Sequence, residues 1–270
     1  MRTILLTGAG GGIGTFMRAE LKGRYKLRLS DRGPLAECGP DEEFVQADLT
    51  DMDATRKAVA GVDGIIHLGG YSVEADWDTI HTANFIGTYN LYEAARLEGA
   101  KRVIFASSNH AVGFHDRTNT IDHTTTPRPD SRYGLSKAFG ESLSSLYADK
   151  YGVESMCIRI GNVGTEPIDV RRMSIWLSPR DLAQLVCIGL DHPDIKHEIV
   201  YGMSDNARSW WDNSNATRLG YKPQDKSEDF AEQILATKTS DTGNPIGDLK
   251  QGGDFVTFEA VDDPFKPGLK

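Results

Sequence analysis

Cysteine is scarce in this 270-residue chain: Cys38, Cys157 and Cys187, widely spaced and with no CxxC pair. So few thiols exclude a disulfide framework and a cysteine-based zinc site, and they suit a reducing compartment. Long apolar runs are also missing, and nothing approaches the ~20 residues that a membrane span requires. Lys and Arg form no run, and 30 basic against 39 acidic residues leave a net charge of −9. A polyanion therefore finds no basic stripe, so neither nucleic acid nor an anionic membrane is expected as a partner. No leader peptide is read, because the first apolar stretch runs straight into glycines. The expectation is a cytoplasmic protein that acts on a small molecule. His110, His115 and His123 follow no ligand spacing, and no metal is expected.

Glycine, by contrast, is plentiful at 28 residues, in a composition that is otherwise ordinary for a globular protein, with 39% hydrophobic and 26% charged residues. The length fits one large α/β domain or one domain with a small annex. Short β-rich runs are predicted at 2–7, 25–30, 43–46, 64–68, 102–107, 153–159 and 198–201. Helical patterns fall between them at 13–22, 54–59, 79–98, 133–151 and 181–190. Such alternation is the signature of a parallel sheet with crossover helices. The polar stretch 109–132 is too long for a simple connection, and loops of that kind usually line a site. Beyond Gly161 the rhythm weakens, and the chain after Ser240 reads as irregular.

The densest glycine cluster, Gly8-Ala9-Gly10-Gly11-Gly12-Ile13-Gly14, closes the first strand and opens the first helix. Glycine there permits positive φ and lets the backbone approach a pyrophosphate closely, while the helix N-terminus offers N–H groups to that anion. Gly8, Gly11, Gly12, Ile13 and Gly14 are therefore candidate dinucleotide contacts. Asp31, at the end of the second strand, is placed to accept hydrogen bonds from a ribose 2′-OH and to repel a 2′-phosphate, which favours NAD over NADP. Asp48 and Leu49 follow the third strand and are expected to meet the adenine, although a helix-capping role for Asp48 fits nearly as well. Leu68 and Gly69 at the end of the fourth strand complete the expected cofactor set.

Tyr133 and Lys137 stand four apart at the start of a predicted helix, so they share one face. Ser108 lies just past the fifth strand. A phenol holds its proton to pH ~10, but a neighbouring ammonium and an oxidised nicotinamide both favour the phenolate. Tyr133 is then the expected acceptor of a substrate hydroxyl proton, with Ser108 holding the same oxygen.

These motifs, with the run from Asn84 to Ala95 (NFIGTYNLYEAA), resemble the extended short-chain dehydrogenase/reductase family. The resemblance implies a Rossmann-type doubly wound parallel sheet and places Asn84 in the catalytic proton relay. It divides the chain into an NAD-binding core, residues 1–165, and a small substrate-binding and oligomerisation part, residues 166–270, that is not an independent domain. A homo-oligomer is expected. A narrower resemblance, carried by 69–74 (GGYSVE), 106–110 (ASSNH) and 209–214 (SWWDNS), is to the bacterial uronate dehydrogenases. It implies oxidation of C1 of cyclic glucuronate or galacturonate by NAD to an aldarolactone. The implied substrate contacts are Ser72, Ser108, Asn109, His110, Asn162 and Arg171; that family commonly has Ser where Asn162 stands. A sugar carboxylate calls for a cation, and Arg171 and Arg172 follow the sixth strand as candidates. The Trp210–Trp211 pair is read as packing for the C-terminal part. Two other readings share features: a nucleotide-sugar epimerase or dehydratase, which needs a larger C-terminal lobe, and a dinucleotide-sensing regulator, which has no use for a Tyr/Lys pair.

Overall fold

Ile4, Leu5 and Leu6 are fully buried, because their strand is covered by helices on both faces. Leu5 joins one apolar cluster and its neighbours Ile4 and Leu6 the other, as the two-residue side-chain period of a strand dictates. The computed structural model describes residues 1–35, 37–237 and 244–258. The first half runs β1 (Thr3–Thr7), α1 (Gly12–Glu20), β2 (Lys26–Ser30), β3 (Glu42–Phe44), α2 (Met52–Val59) and β4 (Gly64–His67), then α3 (Trp77–Ile80), α4 (Gly87–Glu98), β5 (Arg102–Ser108), α5 (Arg132–Tyr151) and β6 (Glu154–Ile160). Two short strands follow, β7 (Asn162–Val163) and β8 (Trp176–Leu177), flanking α6 (Val170–Ile175). The chain continues through α7 (Pro179–Asp191), β9 (His197–Gly202), α8 (Ser214–Arg218), α9 (Ala231–Thr237) and α10 (Pro245–Leu249).

Seven strands form one sheet in the order β3-β2-β1-β4-β5-β6-β9, all neighbours parallel. The chain winds one way from β1 to β3 and the other way from β4 to β9. The carboxyl ends of β1 and β4 therefore flank the switch point where such sheets bind ligands. This is the expected Rossmann-type doubly wound α/β fold. The segment 166–270 contributes β9 to the sheet and α7 to the cluster that also holds Met17 of α1 and Leu21 just beyond its end. Trp210 and Trp211 join Val112, Ile121, Ile175 and Tyr201 in a third cluster. Trp211 stacks on Tyr201 at 4.8 Å, as the packing reading of that pair requires.

The helix expected over 79–98 is interrupted. A π-helical turn, His81–Ile86, separates α3 from α4 and widens the helix where Asn84 points inward. The long stretch 109–132 begins with a 3₁₀ turn, Asn109–Val112, and is bridged to the C-terminal part at Asp116–Lys250 and Ile121–Trp211. The chain after Ser240 is not wholly irregular: α10 and a 3₁₀ turn, Gly253–Thr257, stand within the described residues, while 241–243 and 259–270 lie outside them. No helix among the described residues is long and apolar enough to cross a membrane.

Candidate active site

The carboxyl ends of the central strands border a cleft of about 1070 Å³. Its floor at the β1 end is the glycine loop. Gly8 has φ +69, and a Cβ there would lie 2.9 Å from the Gly69 nitrogen. A Cβ on Gly14 would lie 2.4 Å from the Gly8 carbonyl, so α1 packs onto the loop only with glycine at this position. Gly12 differs: a Cβ there would meet no protein atom within 4 Å, although the residue lines the cleft. The space left at Gly12 is cleft, not packing. Gly11 caps α1 without a side-chain hydrogen bond, and the first turn carries no acid. Unpaired N–H groups and the positive end of the helix dipole thus face the cleft together, and this set of residues fits the pyrophosphate of NAD.

The other expected cofactor residues line the same cleft. Asp31 Oδ2 accepts the Gly10 N–H at 3.0 Å, which ties the end of β2 to the loop. Asp48 accepts the Thr50 N–H and hydroxyl, and these bonds hold its carboxyl below the usual carboxylate range. The cap of α2 is Asp51, which accepts the Ala54 N–H at 3.0 Å. Leu49, Leu68 and Gly69 complete the wall.

Ser108 is the last residue of β5, and Tyr133 and Lys137 stand on one face of the first turns of α5. All three line the cleft. Ser131 starts that helix by accepting the Gly134 N–H at 2.9 Å, and Glu74 Oε2 accepts the Tyr133 N–H at 2.8 Å. Burial pushes the Tyr133 phenol up to about 12, with Asp130 adding to the rise and a hydrogen bond from Ser108 opposing it. Burial pushes the Lys137 amine down to about 8. Lys137 Nζ lies over the Tyr133 ring, 5.5 Å from its centroid, and desolvation sets the direction of the phenol's shift.

Asn84 stands outside the cleft wall. Its Oδ1 accepts the Tyr71 N–H at 2.7 Å, and its Nδ2 donates to the Tyr71 carbonyl at 2.9 Å and to Ser136 Oγ at 3.0 Å. The side chain clasps the loop that carries Ser72. This clasp depends on the π turn, which the sequence pattern did not signal.

Of the expected substrate contacts, Ser72, Ser108, Asn109, His110 and Asn162 line the cleft. Asn109 Nδ2 is buried there without a hydrogen-bond partner. Arg171 does not form part of the wall. Its side chain is 5% exposed, Nη2 donates to the Gln251 carbonyl at 2.6 Å, and the Gly253 backbone lies against it. Its Nε is buried without a partner, and the guanidinium forms no ion pair among the described residues. Burial, with repulsion from Arg172 and Arg117, lowers it to about 10. Arg172 does reach the wall, already paired with Asp169. Phe255, from the Gly253–Thr257 turn, also lines the cleft and stacks on His110 at 3.8 Å. Nothing in the local sequence marks Phe255, because distant backbone contacts bring it there. Among the described residues no group of three or more His, Cys, Asp or Glu side chains is arranged to hold a metal.

Residues 4–200 match the NAD dependent epimerase/dehydratase family. The chain is 47% identical over 264 residues to uronate dehydrogenase of Pseudomonas putida, covering 97% of each chain. It superposes on a crystal structure of glucuronic acid dehydrogenase from Chromohalobacter salexigens with a TM-score of 0.91 at 45% identity, covering 94% of this chain and 96% of the other. It superposes equally well, TM-score 0.91 at 44% identity, on a uronate dehydrogenase variant from Agrobacterium tumefaciens complexed with NAD, covering 95% and 97%.

Proposed function

Because the chain belongs to the NAD dependent epimerase/dehydratase family, and within it to the uronate dehydrogenases, we propose that it oxidises C1 of cyclic uronic acids to aldarolactones with NAD. The observation that carries this reading is a buried Ser108, Tyr133 and Lys137 set in the same cleft as the glycine loop. Gly8, Gly11, Gly12, Ile13, Gly14, Asp31, Asp48, Leu49, Leu68 and Gly69 hold the cofactor, joined by Tyr133 and Lys137 at its nicotinamide end. NAD, when bound, supplies the hydride acceptor and a positive charge near the phenol.

Tyr133 takes the proton of the C1 hydroxyl. With its phenol pushed up to about 12 by burial, it is a poor base in the cleft by itself, and each nearby cation lowers the cost of the phenolate. Lys137 supplies one such charge and Ser108 steadies the hydroxyl oxygen. Ser72, Asn109, His110 and Asn162 orient the ring, with Asn84 acting through the loop that bears Ser72.

Arg171 supplies the cation for the carboxylate from just behind the cleft wall. A guanidinium stays cationic at neutral pH, and a buried charge without a counter-ion is costly. An anionic sugar in the cleft would supply that counter-ion across the wall. In this arrangement the Arg171 end holds C6 while Ser108 and Tyr133 address C1, and the other hydroxyls stay out of reach of the chemistry.

Residues 166–270 provide the anchor and Phe255, while residues 1–165 provide the cofactor site. Exposed Tyr89 and Leu97 on α4, with Leu146 and Tyr151 on α5, support assembly into a homo-oligomer, which sedimentation equilibrium tests. Free cysteines, two of them buried, support a cytoplasmic location. The chemistry itself is tested with Tyr133→Phe. Turnover of glucuronate should fall at least ~10²-fold, as for loss of a general base, with NAD affinity nearly intact. A loss below tenfold would mean that another group takes the proton.

A further inference from the structure

His110 is held from behind by a carboxylate that does not itself reach the cleft. Its Nδ1 lies 2.7 Å from Asp130 Oδ2, and the Asp130 side chain is completely buried. The other oxygen, Oδ1, accepts the Ser131 hydroxyl at 2.8 Å. Three glycines make room for this group. A Cβ on Gly113 or Gly252 would lie 1.8 or 1.9 Å from Oδ2, and one on Gly134 would lie 3.0 Å from Oδ1. The cradle is closed by the Gly252 N–H, which donates to the Gly113 carbonyl at 2.9 Å. Phe255 stacks on the imidazole with ring planes 23° apart. The ring is thus fixed along one edge and one face.

We propose that Asp130 is a positioning residue for sugar recognition: it holds His110 as the Nδ1–H tautomer, so that Nε2 presents a lone pair to a substrate hydroxyl. A carboxylate only accepts, so the shared proton resides on Nδ1. In the neutral ring the second nitrogen is then an acceptor, and the hydroxyl that meets it must donate. This proposal rests on the reading of the cleft as a sugar site. Asp130 also acts on two other groups through its charge, favouring the cation on Arg171 and opposing the phenolate of Tyr133. A useful test must separate those effects from the one carried by His110.

The separation comes from Asp130→Asn, His110→Ala and the double variant, with NAD affinity measured alongside. Asp130→Asn keeps the shape of the side chain but adds a donor facing Nδ1. It should lower kcat/KM for glucuronate by about 10- to 100-fold, chiefly through KM, with the Kd for NAD unchanged within about twofold. In the His110→Ala background the same substitution should change kcat/KM by less than about twofold, because the coupled pair is already broken. An effect that persists undiminished in that background would overturn the proposal and assign Asp130 to Arg171 or Tyr133 instead. The second readout is ¹⁵N NMR of the histidine side chains in the unmodified protein. An Nδ1–H pattern for His110 is expected, and an Nε2–H pattern would overturn the proposal. That spectrum needs no turnover, so failure of the tautomer assignment and failure of the sugar-oxidation reading give different results.

Discussion

Glu74 seats its carboxylate on the first turn of the helix that carries Tyr133: Oε2 accepts the Tyr133 N–H at 2.8 Å and Oε1 the Arg132 N–H at 3.2 Å. The first N–H groups of any helix lack intrahelical partners, and a carboxylate there also meets the positive end of the dipole. The Tyr133 backbone is thereby fixed from the loop that also carries Ser72.

Glu74→Ala should therefore cost about 1 kcal/mol of stability, as for loss of a helix cap. It should also lower kcat by roughly tenfold through misplacement of Tyr133, since small errors in orientation carry large rate penalties. Glu74→Gln, which retains an acceptor oxygen, should recover most of both. Thermal unfolding and initial rates on the two variants decide this. Equal behaviour of alanine and glutamine would assign the effect to charge and not to capping.

Lys137 should be a stability liability at neutral pH. Its amine is pushed down to about 8 by burial, against a reference near 10.4 in the unfolded chain. Below pH 8 the group is protonated in both states, and the folded state carries the full cost of a buried charge. Between about pH 8 and 10 the unfolded chain binds more protons than the folded one, so stability contributed by this site rises with pH. Lys137→Met should thus stabilise the protein by on the order of 1–3 kcal/mol at pH 7 while abolishing turnover, a trade-off common at active sites. The gain should shrink as pH is raised toward 10 in denaturant titrations. A variant less stable than the parent at pH 7 would show that the ammonium is compensated.

Asp31 ties β2 to the glycine loop through the Gly10 N–H. Asp31→Ala should weaken NAD binding and at the same time admit the 2′-phosphate of NADP. The ratio of kcat/KM for NAD to that for NADP should fall by about tenfold or more, the size of effect carried by charged hydrogen bonds. An unchanged ratio would place the discrimination elsewhere, with Arg32 the neighbouring cleft residue to examine.

The parallel sheet was legible because its signals are local. The buried run at Ile4–Leu6, the glycine cluster and the four-residue step from Tyr133 to Lys137 each read directly as structure. The clasp of Asn84 on Tyr71 was not legible, since it depends on a π turn that the apolar stripe of the helix passes through unmarked. Phe255 and Asp130 escaped for a different reason. Gln251 is the knot: its side chain binds Trp211 Nε1 and the carbonyls of Asp116 and Asn119, and its backbone binds His115 and Arg171. Such non-local pairing carries no periodicity. The glycines at 113 and 252 are its only trace in the sequence, and their meaning emerges only with Asp130 between them. Arg171 illustrates the converse, a residue that the family resemblance selects although its side chain is not part of the cleft wall.

On this reading the cleft oxidises sugars bearing a carboxylate and uses Arg171 to recognise it. The most direct measurement is the kcat/KM for NADH formation from glucuronate relative to glucose, in the unmodified enzyme and in Arg171→Ala and Arg172→Ala. Loss of a charge-assisted contact in a water-poor site is worth about 2–4 kcal/mol, or roughly 30- to 1000-fold in kcat/KM. A preference of that size for glucuronate is expected, collapsing in Arg171→Ala and surviving in Arg172→Ala. Oxidation of both sugars at equal efficiency, or a preference that survives in Arg171→Ala, would contradict it.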